Sequence, residues 1–171
     1  MNEKKRKRPL MGSGGFAVLM VAGYFISALI ILSNFPYLDM SAIQLLKLFS
    51  LFLALSFLIP ISLYRRRIAL SYYEYLFFNF LCFAPFFIVI TFQLNEIFKG
   101  NTYIESYQII ERKVGENQTI FTLQDQAYEE KEYMRTIKND DNLEISGSDY
   151  YALYLSDGLL GIRIIEKKKI Y

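Results

Sequence analysis

Acid–base and nucleophilic chemistry at neutral pH usually runs through histidine or an activated cysteine. This 171-residue sequence has no histidine and one cysteine, Cys82, inside an apolar run. A thiol in a low-dielectric setting is held protonated, so Cys82 reads as a small buried hydrophobe. The serines have no histidine to activate them, and no GxSxG, HExxH or phosphate-binding glycine loop occurs. Gly12, Gly14 and Gly15 follow no strand and read as a flexible entry to a helix. Glu129, Glu130 and Glu132 are close together, but their spacing matches no cation-binding loop. Asp140 and Asp141, between Asn139 and Asn142, read as turn residues. The expectation is a non-enzymatic protein with no catalytic residues, no cofactor and no metal.

The rest of the sequence speaks to architecture, and its composition divides the chain in two. Fourteen of the fifteen phenylalanines lie between Phe16 and Phe98. Residues 1–98 hold nine Lys/Arg and four Asp/Glu, a net of +5, whereas residues 99–171 hold ten and thirteen, a net of −3. Such a break implies two physical environments rather than one core. The expected fold class is an α+β membrane protein: a basic cytoplasmic N-terminus (1–14), three transmembrane helices (15–98), and a small β-rich extracytoplasmic domain (99–171), a sheet or partly closed barrel.

The three spans are predicted at about 15–35, 42–64 and 72–98. The first carries no charge over 21 residues, about 30 Å of helix, which matches bilayer hydrocarbon. Its small residues Gly23 and Ser27, four apart, are candidate helix–helix contacts. The second keeps Lys47 near its start, where the amine can reach headgroups, and Pro60 near its end, where it kinks or stops the helix. The third begins with an aromatic belt at Tyr72, Tyr73 and Tyr75. It contains Asn79, whose amide suits an interhelical contact, and Pro85, which favours a kink. Lys4, Lys5, Arg6, Lys7 and Arg8 precede the first span, and Arg65, Arg66 and Arg67 separate the second from the third. The positive-inside rule makes both cytoplasmic. Three crossings then place the C-terminal domain outside a multi-pass plasma-membrane protein, in the periplasm where there are two membranes. The basic N-terminus is explained by topology and membrane lipids, with no nucleic acid.

Beyond Lys99 the pattern changes to short β-prone runs: Tyr103 to Glu111, Thr119 to Leu123, Tyr133 to Ile137, Tyr150 to Leu155 and Leu159 to Ile165. The last two form a hairpin around Ser156, Asp157 and Gly158, with Gly158 accepting positive φ and Gly161 marking a bulge or a close backbone approach. Ser146 and Asp149 are candidate caps for a short helical turn. Strand alternation turns Tyr151, Leu153 and Leu155 inward and leaves Tyr150 and Tyr154 as the candidate partner surface. Lys167, Lys168 and Lys169 read as a solvated strand end. These features fit an accessory or interaction protein with a protein partner or a homo-oligomer. An immunity protein against an envelope-acting toxin and an oligomeric channel or transporter subunit are the alternatives.

Overall fold

The computed structural model describes residues 13–65, 70–139 and 149–171. Lys4 to Arg8, Arg66 and Arg67, Asp140 to Asn142 and the candidate cap Ser146 lie outside them. The chain forms an α+β molecule of two compact units. One comprises the chain up to Ser33 together with Ala42–Phe92, and the other Asn34–Ser41 together with Gln93–Tyr171.

The helical unit contains α1 (Ser13–Asn34), α2 (Ala42–Ser56), α3 (Ile61–Arg65), α4 (Tyr72–Phe78) and α5 (Ala84–Ile97), whose last turn passes into the second unit. Two helical stretches are long and apolar enough to cross a membrane: Gly14–Tyr37 of 24 residues and Tyr72–Ile97 of 26. The expected second span, 42–64, is divided. Its continuous helix is α2, with 15 residues and about 22 Å of rise. The break follows from Pro60, which has no N–H to give and restricts Ile59. The chain tightens ahead of it: the amides of Phe57, Leu58 and Ile59 donate to Ala54, Leu55 and Ser56, and the Ile59 carbonyl accepts from the Tyr75 hydroxyl at 2.6 Å.

The third stretch is continuous, but α4 and α5 are joined by a π-helical turn, Asn79–Phe83. Pro85 accounts for it. A proline ring collides with the carbonyl four residues back, and widening the helix by one residue per turn makes room. The Ala84 amide accordingly donates to Asn79 rather than to Phe80. Ser71 caps α4 reciprocally with Glu74, the Glu74 amide giving to Ser71 Oγ at 3.2 Å and the Ser71 amide to Glu74 Oε2 at 2.7 Å.

The second unit is a five-stranded antiparallel sheet of order β3-β2-β1-β4-β5, with β1 Thr102–Val114, β2 Gln118–Leu123, β3 Thr136–Lys138, β4 Tyr150–Asp157 and β5 Arg163–Ile170. At 13 residues β1 is long enough to serve two partners. Its first half ladders with β4 and its second half with β2, the change marked by an irregularity between Ile109 and Glu111. This bend curls the sheet until it is nearly closed. Inside the curl lie Phe121, Leu123, Met134, Tyr151, Leu153, Leu155 and Ile165. Tyr151, Leu153 and Leu155 point inward as alternation predicts, and the Tyr151 hydroxyl is satisfied by the Met134 carbonyl at 2.6 Å.

Two local expectations change. The run expected from Tyr133 to Ile137 is a tight helical turn, Glu132–Arg135, followed by three strand residues. Arg135 fixes that turn by donating to three carbonyls, of Phe121, Tyr128 and Glu129, at 2.8 to 3.0 Å. In the β4–β5 connection the two glycines exchange roles. Gly158 is extended, whereas Leu160 and Gly161 take positive φ of 66° and 70° and make the turn. Asp149 makes no helix cap; its amide donates to Tyr171 at the sheet end.

Candidate partner-binding surface

A sheet that curls without closing leaves two edges facing a common gap, here β3 and β5. The gap is a groove of about 510 Å³, walled on one side by β3 and on the other by residues 165–168 of β5, with Pro36, Tyr37, Gln118, Glu132 and Tyr133 completing the lining. Lys168 spans it. Its Nζ donates to the Tyr133 carbonyl and, at 3.2 Å, to the Thr136 carbonyl. Burial holds the amine well below the usual lysine range, at about 8. Among the described residues no carboxylate lies within ion-pair distance of it.

One end of the β5 edge is already covered by a segment from elsewhere in the chain. Leu38 bridges Ile164, and the Asp39 amide donates to the Arg163 carbonyl at 2.8 Å. The Asp39 carboxylate, 4% exposed, pairs with Arg163 and with Lys131. Arg163 reaches on to Glu105 at 2.8 Å. Glu105 also accepts from the hydroxyls of Tyr107 and Tyr128, each at 2.7 Å. Burial pushes the Glu105 carboxyl up, but the two phenols and the guanidinium outweigh it and hold the group below the ordinary carboxylate range. Desolvation and the neighbouring carboxylate push Tyr128 the other way, well above the usual phenol range. The Tyr133 hydroxyl adds hydrogen bonds to the Leu38 and Met40 carbonyls at 3.0 and 2.8 Å. A fully paired network of this kind fixes a segment in one position.

The sequence-predicted residues are spread across both units. Tyr150 is 53% exposed. Tyr154 is half-buried; its hydroxyl meets that of Tyr171 at 2.6 Å, and Lys169 Nζ stands 5.7 and 5.6 Å from the two ring centres. This cation–aromatic cluster brings Tyr154 together with Tyr171 and with Lys169, which was expected only as part of a solvated strand end. In the helical unit a Cβ added at Gly23 would sit 3.7 Å from Cys82 Sγ, ordinary contact range, and Ser27 is buried. Asn79 is fully buried in the π turn, and among the described residues its amide atoms meet no hydrogen-bond partner. Sequence reasoning passed over Asp39, Glu105 and Arg163, and it read Lys168 as solvated, whereas its amine is half-buried on two carbonyls. A signal for Lys168 was present: neighbours in a strand face opposite sides, so three consecutive lysines cannot all be solvated on one face.

Among the described residues no cluster of His, Cys, Asp or Glu is arranged to hold a metal ion. No protein-family model, curated protein or solved structure matches the chain.

Proposed function

We propose that this chain is a non-enzymatic membrane accessory protein that crosses the plasma membrane three times and presents its β unit to a protein partner on the extracytoplasmic side. The reading is carried by one observation: Asn34–Ser41 and Gln93–Tyr171 fold as one unit. The first segment follows one long apolar helix and the second follows the other. With both helices crossing, the segments they deliver share one face of the membrane. On this reading residues 42–71 return the chain to the opposite face, a third crossing through α2 and the short α3. The basic residues at 4–8 and 65–67 support a cytoplasmic location for that opposite face. Exposed apolar side chains along α1, among them Val18, Leu29 and Leu32, suit contact with lipid.

The interaction role is supported by a nearly closed sheet whose end strands β3 and β5 do not pair with each other, an edge geometry suited to docking. Photo-crosslinking in the native membrane from exposed Tyr150 and from Tyr154 tests it. The expected result is one dominant attached protein. Absence of any attached protein, together with solute flux through the purified chain in vesicles, would reject the reading.

A further inference from the structure

We propose that the seam between β3 and β5 receives an extended acidic segment of the partner protein, which adds as a further strand and sets a carboxylate against Lys168. This rests on the interaction reading above and gives the partner's chemistry at its docking site.

The seam lies between the two end strands of the sheet, which do not ladder with each other. Among the described residues no backbone ladder joins β3 to β5, and the Lys168 amine reaches across from β5 to the carbonyls of Tyr133, in the turn before β3, and of Thr136, in β3 itself. Among the described residues, 165–170 of β5 make backbone hydrogen bonds to β4 alone. On the other wall the Thr136 carbonyl is occupied by an amine rather than by a strand. An arriving backbone N–H can take that acceptor and release the amine to an acidic side chain.

The chain contains its own precedent at the adjoining end of the same edge. Leu38 and Asp39 add to β5 as a short extended piece, with the Asp39 carboxylate on the cation of Arg163. An acidic strand in the seam repeats that arrangement one step along, with Lys168 in place of Arg163. Charge favours it. Lys138, Lys167 and Lys168 line the groove against Glu132 and Glu166, and Glu166 is taken by Lys99 at 2.8 Å. A half-buried cation without a carboxylate gains more from an incoming anion than an exposed one does. Closing the gap also removes two sheet edges at once.

Full-length protein in lipid nanodiscs, panned against a displayed library of random ten-residue peptides, provides the test. The enriched peptides should be acidic and free of proline. Binding should slow amide exchange in β3 and at 165–170. The best synthetic peptide should lose about tenfold in affinity or more, roughly 1.4 kcal/mol, for the double variant Lys138→Glu, Lys167→Glu. Both positions are exposed, so the fold survives the change. No enrichment, enrichment of basic or proline-rich peptides, or winners indifferent to the double variant overturns the proposal. If the seam fails while crosslinking from Tyr150 or Tyr154 captures a partner, the docking site is lost and the interaction reading stands. If both fail, both are lost.

Discussion

Lys168 carries a charge into the seam, and its titration has a definite sign. Its folded pKa of about 8 lies below the ordinary 10.5, so between those values the unfolded chain holds more protons than the folded one. Stability of the β unit should therefore rise from pH 8 towards pH 10. Above pH 10 the trend reverses, because Tyr107, Tyr128, Tyr133 and Tyr151 all have raised values and folding protects their protons. Thermal midpoints measured across this range should climb in the natural protein and stay level up to pH 10 in Lys168→Met. Asp39 is a buried carboxylate paired with two cations. Asp39→Ala strands those cations, although Arg163 keeps Glu105. It should cost about 3 kcal/mol, read from amide exchange at Leu153 and Leu155. Neither residue could be weighted from sequence. Asp39 is a lone acid in a short loop, and its partners lie 92 and 124 positions away.

At the scale of elements, the β4–β5 connection illustrates what a short motif does and does not specify. Asp157–Gly158 is a hairpin signal, and a hairpin forms, but the turn lies further along at Leu160 and Gly161. Gly158 is required for space. A Cβ there would sit 2.2 Å from Asn95 Oδ1, and Asn95 is fully buried with its Nδ2 on the Ile162 carbonyl at 3.0 Å. Gly158→Ala should cost about 2 kcal/mol through this clash. Combined with Asn95→Ala it should cost less than the sum of the single changes, a non-additivity that denaturation of the four proteins measures. The helices show a similar division. Pro60 and Pro85 were legible as disturbances, but one ends a helix and the other widens it. The outcome depends on neighbours such as Tyr75, whose hydroxyl donates to the Ile59 carbonyl beside Pro60 from 16 positions away. The capping box at Ser71 and Glu74 was fully local and could have been read from the S-x-x-E spacing.

For the whole molecule, the composition break near Phe98 anticipated an apolar helical part and a β-rich part, and inward residues of β4 followed from alternation. The recruitment of Asn34–Ser41 into the β unit did not, because long-range pairing leaves no periodic trace in eight residues. In the proposed topology, that recruitment ties the ends of the two long apolar helices to a common side. Labelling with a membrane-impermeant maleimide tests it most directly, using single cysteines in a Cys82→Ser background and spheroplasts as the material. Cysteines at the exposed positions Tyr37 and Glu129 should both label from outside, and one at Arg66 should label only after permeabilisation. Labelling at Arg66 from outside with the other two protected, or Tyr37 and Glu129 on opposite faces, would contradict the account.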